Sequence, residues 1–186
     1  MTIRTARAED AAALASLINA AFVVEAFFKI GDRTSANEIA ALMEAGGEFL
    51  ILDSSEPGTE SGTGTGTGTE TGTETGTGTG TGTGTLTGTI AGCVYFKSSG
   101  ERAYFGMLSI APDKQRQGAG LRLIDAVESR ARERGCRYID LHLVNLREEL
   151  NPYYRRLGYV ESGTLPFSEP ERASKPCFFI VMTKRL

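Results

Sequence analysis

The sequence has 186 residues, of which a Gly-Thr repeat takes positions 58–89 and leaves 154, the size of one domain that buries roughly 70% of its unfolded surface. Its formal charge is −3, and because the repeat holds three of the 23 acidic residues, acidic and basic side chains balance outside it. This balance excludes the strongly basic surface of a typical nucleic-acid-binding domain, and no apolar run approaches the length that crosses a membrane.

The sequence carries no signal for export, disulfides or metals. The first residues are charged at Arg4 and Arg7 and contain no secretory signal peptide. The three cysteines, Cys93, Cys136 and Cys177, are far apart and form no C-x-x-C pair, and the chain has one histidine, so we expect neither a disulfide framework nor a metal site. We expect a soluble cytoplasmic protein, monomer or homodimer, that binds no membrane and no nucleic acid.

The first part of the chain predicts one strand and two helices. Residues 2–6 alternate weakly as a strand, and the helix after them has apolar residues at the i, i+3, i+4, i+7 and i+8 spacing of one buried stripe. The apolar segment 23–30 is expected to continue this helix or to form a second core helix, in preference to a substrate wall. Ser35 and Glu38 form a capping box that begins the next helix, which ends at Gly46-Gly47. The stripe of the first helix consists of Leu14, Leu17, Ile18, Ala21 and Phe22.

Two buried strands, at 48–53 and 87–97, flank the Gly-Thr repeat. In the repeat every glycine has an even number and nearly every threonine an odd one, so a strand here would show threonine on one face and no side chain on the other. The repeat has no apolar surface to offset the entropy of ordering it, and we expect a disordered insertion at 58–89 in the hairpin loop between the two strands.

A strand, a helix and a second strand follow at 103–110, 119–134 and 137–144. They predict a βαβ unit with the two strands parallel, and the loop after the first strand of such a unit is where these sheets bind ligands. Gly135 ends the helix, and Glu128 and Arg132 form an i,i+4 pair on it. The inward-facing residues of this helix are predicted to be Leu121, Ile124, Val127 and Ala131.

The last part of the chain predicts a short helix and two strands. Asn151-Pro152 is typical of an N-cap followed by proline at the first helical position, and Gly158 closes the helix. The strands are expected at 159–162 and 176–184. We interpret the loop between them as plain surface, with the border of a substrate mouth as the alternative.

The segment from Gln115 to Gly120 lies at the turn between the strand and the helix of the βαβ unit. The first N–H groups of a helix have no intrahelical partner, and glycines there let a phosphate approach the backbone. A dinucleotide fingerprint would need a third glycine where Leu123 stands, and a P-loop would need Gly-Lys-Ser/Thr. The segment therefore predicts a pyrophosphate site of another kind.

Two segments resemble motifs of one family. Pro112 to Gly120, continued by Leu121-Arg122-Leu123-Ile124, resembles the acetyl-CoA signature Gln/Arg-x-x-Gly-x-Gly/Ala of the GNAT superfamily of N-acetyltransferases, and Tyr153 to Tyr159 resembles that family's aromatic-Tyr-x-Lys/Arg-x-Gly-aromatic segment. The resemblance implies a single α/β (α+β) domain over residues 1–186, with a mixed, twisted sheet of six to seven strands flanked by helices and a parallel βαβ unit at the CoA site. It also implies direct transfer of an acetyl group from acetyl-CoA to a primary amine of a small molecule or peptide, without a metal.

The resemblance also assigns cofactor positions. Backbone amides after residue 117 match the groups that hold the CoA pyrophosphate, and main-chain groups of the preceding strand match those that pair with the pantetheine and polarise the thioester carbonyl. A polar residue after the next strand matches a frequent CoA-side position. These residues are Gln115, Arg116, Gln117, Gly118, Ala119 and Gly120 for the pyrophosphate, Leu108 and Ile110 for the pantetheine, and Asn145 for the polar position.

The resemblance assigns one of the two proton-transfer residues and leaves the other open. Tyr154 matches the tyrosine that protonates the CoA sulfur, with simple packing as the alternative. In many relatives a glutamate on the strand before the signature acts as the general base, but residues 103–110 of this sequence contain no carboxylate. Asp140 and His142, which share one strand face at i and i+2, and Glu25 remain candidates for the base, as does proton loss through bulk water.

Two functional alternatives differ from acetyl transfer. A non-catalytic module that binds or senses acyl-CoA could use the same scaffold, since fold does not settle function. An acyl hydrolase is disfavoured because the sequence has no Gly-x-Ser-x-Gly elbow. The segment Phe27-Phe28-Lys29 and the loop before the last strand are the candidates for shaping the acceptor site, and amino acids, polyamines, antibiotics and peptides all remain open as acceptors.

Overall fold

The computed structural model describes residues 1–54 and 90–186. Their strands are β1 (Thr2–Thr5), β2 (Glu48–Asp53), β3 (Ile90–Ser99), β4 (Arg102–Ile110), β5 (Tyr138–Val144), β6 (Val160–Pro166) and β7 (Phe178–Arg185). Their α-helices are α1 (Ala11–Phe22), α2 (Ala36–Glu44), α3 (Ala119–Glu133) and α4 (Leu150–Arg156). No helix of this described part is long and apolar enough to cross a membrane.

The seven strands of the described residues form one sheet in the order β1-β2-β3-β4-β5-β7-β6. β4 and β5 are parallel and are joined through α3, whereas the other neighbouring pairs are antiparallel. The predicted mixed sheet flanked by helices, with its parallel βαβ unit, is therefore confirmed. The predicted disordered insertion at 58–89 lies outside the described residues.

Both faces of the sheet are covered. In β2, Leu50 and Leu52 pack towards α3, while Phe49 and Ile51 pack towards α1 and α2. Strands buried on both faces are apolar at successive positions, which is why this strand has a continuous apolar run in the sequence. Each fully buried side chain of this size contributes about 2 kcal/mol of hydrophobic stabilisation.

The inward face of α3 differs from the predicted one at one position. Leu121 is 43% exposed, whereas Leu123 is fully buried. Leu123 and Val127 mark the centre of the buried stripe, so Leu121 lies beyond its edge. The predicted pair of Glu128 with Arg132 forms, at 3.3 Å, but Glu128 is buried and also accepts hydrogen bonds from Lys184 and Tyr159.

The segment 23–30 is not the predicted core helix. It begins with one 3-10 turn, Val23–Glu25, and Val23 and Ile30 are 68% and 62% exposed. Phe28 is fully buried in a small cluster with Val144 and Phe167. The segment is fixed by backbone hydrogen bonds to the loop before β7, in which Ser174 N donates to Phe28 O at 2.7 Å and Ile30 N to Arg172 O at 2.8 Å. These tertiary contacts replace helical ones.

α4 begins two residues earlier than predicted, and Asn151 is not its N-cap. Glu149 occupies the N-cap, and Leu150 N donates to Arg147 O at 3.0 Å. The Asn151 amide instead donates to Glu161. Pro152 is tolerated because it still lies in the first turn, where backbone N–H groups need no helical acceptor.

Candidate active site

The site begins where β4 and β5 separate. The parallel ladder between the two strands ends at the pair Tyr104 and Asp140. Beyond it, the register of β4 against β3 shifts between Cys93 and Tyr95, and Met107 has a φ of +49°. A positive φ at a non-glycine residue costs on the order of 1 kcal/mol or more and marks an irregular strand. From residue 105 onwards, the edge of β4 that faces β5 has no ladder partner in the described chain.

The gap between the strands opens into a cavity of 680 Å³. Backbone and side chains of β4 and β5 line it, together with residues of the segment after α1, of α4 and of the loop after β6. This volume is in the range of small-molecule and cofactor sites. The polar and ionisable residues that line the cavity include Glu25, Arg33, Tyr104, Gln115, His142, Arg147, Tyr153, Tyr154, Ser168 and Glu169.

The predicted pyrophosphate segment forms the turn into α3. Arg116 and Gly118 have left-handed backbones, with φ of +61° and +78°, and Gly118 is the N-cap of α3. The first backbone bond of the helix is donated by Arg122 to Gly118, so the amides before Arg122 have no helical acceptor. A Cβ at Gly118 would meet no atom within 4 Å, so the space beside the N-cap residue is open among the described residues.

The side chains of the predicted cofactor residues are not all directed to the cavity. Leu108, Ile110 and Gln115 line it. Gln115 also donates to Ile110 O at 3.3 Å, and the Gln117 side chain donates to Asp113 O at 3.1 Å, so both glutamines brace the turn itself. Asn145 is not among the lining residues: its amide oxygen accepts a 2.9 Å hydrogen bond from Phe178 N and extends the pairing of β5 with β7.

Tyr154 lies in the cavity wall and is 6% exposed. Its ring packs against those of Tyr153, Tyr159 and Phe105, with centroids 5.1, 5.8 and 6.3 Å away. Burial raises the pKa of the phenol, the neighbouring Tyr153 adds to the rise, and the Arg147 charge opposes it. The hydroxyl therefore remains protonated at neutral pH, and within the described chain it has no hydrogen-bond partner.

The three candidate bases have different surroundings. Asp140 is held by Arg102, with nitrogen–oxygen distances of 2.9 and 2.6 Å, and by the Thr183 hydroxyl at 2.5 Å, and it does not line the cavity. His142 lines the cavity between the rings of Tyr104 and Phe179. Burial lowers the pKa of His142, with Asp140 opposing, so the imidazole is neutral at pH 7.

Glu25 lines the cavity and is 6% exposed. Its Oε1 lies 3.6 Å from Arg147 Nη1, while its Oε2 is buried without a hydrogen-bond partner among the described residues. Burial raises the pKa of Glu25, and the charges of Arg33, Arg147 and Lys29 oppose the rise. A carboxylate with a raised pKa is a stronger base than an exposed one.

Several residues of the cavity wall were not predicted from the sequence. The loop before β7 was interpreted as plain surface, with the border of a substrate mouth as the alternative, and its Ser168 and Glu169 line the cavity. Lys29, which belongs to a segment named as a candidate for the acceptor site, is buried beside Glu169 with Nζ 2.8 Å from the carboxylate. Arg33 and Arg147 also line it. These residues lie in turns without periodicity, so no sequence signal set them apart from solvated charges. The described residues contain no group of three or more potential metal ligands.

Comparison with known proteins points to one family. Residues 73–159, which contain both motif segments, match the family model Acetyltransferase (GNAT) family. No match is found among curated proteins. A solved structure of the protein smu.2055 from Streptococcus mutans has a TM-score of 0.66 at 14% identity, covering 100% of this chain and 99% of that chain.

Two further solved structures have the same fold. The ribosomal-protein-S18-alanine N-acetyltransferase from Escherichia coli has a TM-score of 0.65 at 15% identity and covers 99% of this chain and 92% of that chain. The protein yncA from Salmonella typhimurium, solved with its cofactor acetyl-CoA, has a TM-score of 0.63 at 18% identity and covers 100% of this chain and 94% of that chain. At these identities the likeness establishes the fold.

Proposed function

The chain belongs to the GNAT superfamily of acetyltransferases, and from this premise we propose that it transfers the acetyl group of acetyl-CoA directly to the primary amine of a small molecule or peptide. The observation that carries the proposal is the gap between β4 and β5, since it brings the open edge of β4, the Tyr154 hydroxyl and the Glu25 carboxylate to one cavity. The acetyl-CoA bound to yncA and the N-acetyltransferase named from Escherichia coli support the donor and the reaction type.

The described residues fit acetyl-CoA as the co-substrate. The open space before Gly118 and the unpaired amides at the start of α3 suit a pyrophosphate, because N–H groups and the helix dipole both favour an anion there. In this proposal the pantetheine runs along the free edge of β4 at Leu108 and Ile110. A backbone N–H of that edge polarises the thioester carbonyl and stabilises the oxyanion that forms on attack.

Glu25 is the base in the proposed reaction. Its unpartnered oxygen accepts a proton from the acceptor ammonium, and the neutral amine then attacks the thioester carbonyl to form the new C–N bond. His142 is the second candidate for this step, because it is neutral and lines the same cavity. Asp140 is left out of the proposal, since Arg102 and Thr183 already use its oxygens.

Tyr154 is the acid in the proposed reaction. Collapse of the tetrahedral intermediate breaks the C–S bond, and the phenol gives its proton to the departing thiolate. The attacking nitrogen loses its second proton to solvent to give the neutral amide, and the Tyr154 phenolate is reprotonated from solvent. Burial raises the pKa of this phenol, but the same burial raises the pKa of a thiol beside it, because both groups form anions. Burial therefore does not by itself make the proton transfer unfavourable, because it raises the pKa of both the phenol and the thiol.

Two measurements separate this proposal from the acyl-CoA sensor. Titration calorimetry with CoA measures binding, and thiol release from acetyl-CoA measures turnover over a panel of primary amines. We expect heat on CoA addition and thiol release that requires an amine. Tight CoA binding without amine-dependent release would favour the sensor, and a folded protein that gives no heat with CoA would exclude both readings.

A further inference from the structure

Arg33 brings to the cavity a positive charge that has no ion-pair partner among the described residues. Its guanidinium carbon lies 5.1 Å from the ring centroid of Phe22, and its Nε is buried without a hydrogen-bond partner. No carboxylate lies within ion-pair distance of it among residues 1–54 and 90–186. A buried polar atom without a partner is costly, so its persistence suggests a partner that arrives with a ligand.

The backbone that carries Arg33 is held firmly. The Asn19 side chain of α1 accepts hydrogen bonds from Arg33 N at 2.9 Å and Thr34 N at 3.0 Å, and it donates to Thr34 O at 2.9 Å. The next residue, Ser35, begins the capping box of α2 with Glu38. Arg33 is thus fixed between two helices, and its exposure to the cavity does not depend on a free loop.

The other cations of this side of the cavity already have partners. Lys29 is paired with Glu169 at 2.8 Å, and Arg172 is paired with the same carboxylate at 2.8 Å. Arg147 is paired with Glu149 at 2.6 Å and lies 3.6 Å from Glu25. In the described wall, the buried charged side chains with an atom that has no hydrogen-bond partner are therefore Arg33, at Nε, and Glu25, at Oε2.

We propose that the acetyl acceptor is an amino acid with a free carboxylate, which Arg33 binds while Glu25 receives the ammonium. This inference rests on the proposed acetyl transfer and narrows its acceptor. A guanidinium presents a planar fork of donors that matches a carboxylate with two parallel hydrogen bonds. The Arg33 charge acts on Glu25 and Glu169, which places it on the acceptor side of the cavity, away from the turn before α3 that suits the pyrophosphate.

Matched acceptors test the proposal. Thiol release from acetyl-CoA is measured with the common L-amino acids, with their carboxamides and with the amines that lack the carboxylate altogether. The acid of the best pair should exceed its amide in kcat/KM by about ten- to hundredfold, because the amide leaves the Arg33 guanidinium without a counter-ion. The amide has the more easily deprotonated amine, so a preference for the acid cannot come from amine basicity.

Variants of Arg33 assign the preference to this residue. Arg33→Gln should reduce the ratio of acid to amide to about 1 by raising KM for the acid, with CoA binding unchanged. Because loss of the Arg33 charge also raises the pKa of Glu25, which affects both substrates, the readout is the ratio of acid to amide and not the rate with either substrate. Arg33→Lys should restore part of the preference, and the exposed control Arg7→Gln should keep all of it. Melting and CoA titration of each variant identify any loss of folding.

Three outcomes would overturn the inference. Equal use of acid and amide, a preference that survives in Arg33→Gln, or turnover only with amines that lack an anionic group would each do so and would leave acetyl transfer intact. Absence of thiol release with every amine, in a protein that binds CoA, would overturn the acetyl transfer on which the inference rests.

Discussion

The Tyr154 hydroxyl is the proton donor in the proposed reaction, and Tyr154→Phe removes only that oxygen. Because the ring packing with Tyr159 and Phe105 remains, the protein should fold and bind acetyl-CoA with an affinity within about twofold of the original. kcat should fall about 100-fold, the usual loss when a positioned acid is removed. Stopped-flow measurement of thiol release and calorimetry with CoA provide the two values.

Tyr153 gives a matched control on the same helix. It also lines the cavity and lies edge-on to Tyr154, but it is only partly buried. Tyr153→Phe should change kcat less than threefold. A similar loss of kcat in both variants would indicate that the tyrosines only shape the wall, and an unchanged rate in Tyr154→Phe would remove the acid assignment.

Glu25→Gln should lower activity and raise stability. Burial raises the pKa of Glu25 above its ordinary value, although Arg33, Arg147 and Lys29 oppose the rise, so ionisation of this carboxylate disfavours the folded state. The protonated Glu25 contributes fully to stability at a pH below its pKa in the unfolded chain, and this contribution is lost as pH rises through its pKa in the folded protein. At pH 7.5 the glutamine removes this cost, and the free energy of unfolding should rise by about 1 kcal/mol.

The activity of the same variant reports on the base. In the original protein, kcat/KM should rise with pH through the raised pKa of Glu25, and Glu25→Gln should lose this acid limb together with about 100-fold in kcat/KM at pH 7.5. His142→Gln is the matched variant for the second candidate. A limb that disappears in His142→Gln and persists in Glu25→Gln would transfer the role to the imidazole.

Individual residues were predictable from the sequence only where a motif fixed their register. Tyr154 followed from the segment that ends in Gly158 and Tyr159. Glu25 was one of three candidate bases that the sequence left open because β4 lacks a carboxylate, and nothing in the sequence indicated that one of its oxygens is unpartnered. Arg33 had no signal, since its proposed role depends on the absence of a carboxylate within ion-pair distance among the described residues, which is a tertiary property.

The turn into α3 can be tested by comparing the same substitution at the two ends of the helix. Gly118 and Gly135 have φ of +78° and +74°, and an added Cβ would meet no atom within 4 Å at either. Alanine at each position should cost a similar amount, about 1–2 kcal/mol of backbone strain. Denaturant unfolding of Gly118→Ala and Gly135→Ala measures this cost.

Only the variant at the start of the helix should affect CoA. In Gly118→Ala the new methyl occupies space in front of the unpaired amides, and loss of one amide–phosphate hydrogen bond, worth about 1.5–3 kcal/mol, weakens CoA binding roughly ten- to hundredfold. Calorimetry should show unchanged affinity in Gly135→Ala. Equal affinities in the two variants would mean that the pyrophosphate does not lie at this turn.

The loop before β7 is attached to the segment after α1 by a buried ion pair. Lys29 is 4% exposed, and the Glu169 side chain is 33% exposed. Glu169→Gln leaves the Lys29 ammonium buried without a counter-ion and should cost about 2 kcal/mol, less than a fully buried pair because Glu169 is partly solvated. Lys29→Met should cost less, since Glu169 keeps Arg172.

The double variant and the pH dependence provide the check. The double variant Lys29→Met with Glu169→Gln should be no less stable than Glu169→Gln alone. The stability costs of the two substitutions are then not additive, as expected for two groups in contact. Burial raises the pKa of Glu169, but its bond to Lys29 and the charges of Lys29, Arg172 and Arg33 lower it overall, so its contribution is present above the unfolded pKa and is lost as pH falls through the folded pKa. Additive costs, or a stability difference between the original and Glu169→Gln that persists below that folded pKa, would contradict this account.

At the scale of elements, the sequence was informative where local chemistry decides. The capping box at Ser35 and Glu38 and the left-handed Gly158 both lie where predicted, since caps depend on a few neighbouring residues. The preferred interpretations of the segments 23–30 and 163–175, as a core helix and as plain surface, were wrong because backbone hydrogen bonds join the two segments. Lys29 pairs with Glu169 and Phe28 packs with Phe167 across the contact between the two segments. The sequence of either segment alone does not indicate these contacts.

The cavity is a property of the whole sheet. The predicted parallel strands form, but their ladder stops at Tyr104, and the irregular backbone at Met107 leads β4 away from β5. The run of residues from 103 to 110 was predicted as a regular strand, although its Gly106, directly before the irregular residue, is of the type that often marks a bulge. The gap arises because β3 holds β4 on one side with a shifted register while α3 and the cores on both faces fix its ends.

The Gly-Thr repeat tests whether this sheet needs the insertion in its hairpin. Asp53 of β2 and Ile90 of β3 are paired, so the two strands meet where the insertion joins them. Excision of 58–89 leaves four residues, 54–57, between these partners, which is an ordinary length for a hairpin loop. For a flexible loop, this shortening reduces the entropy cost of closure by about 2 kcal/mol, so the melting temperature should stay the same or rise slightly.

Activity gives the second half of this test. The described lining of the cavity and the turn into α3 lie outside the repeat, so the excised protein should keep kcat/KM within about twofold and the same affinity for CoA. The family match begins at residue 73 and therefore includes part of the excised segment. A variant that replaces 58–89 with a Gly-Ser segment of equal length separates sequence from length: loss of melting temperature or turnover in both variants would mean that the repeat itself contacts the fold, and loss only on excision would mean that the hairpin requires the longer connection.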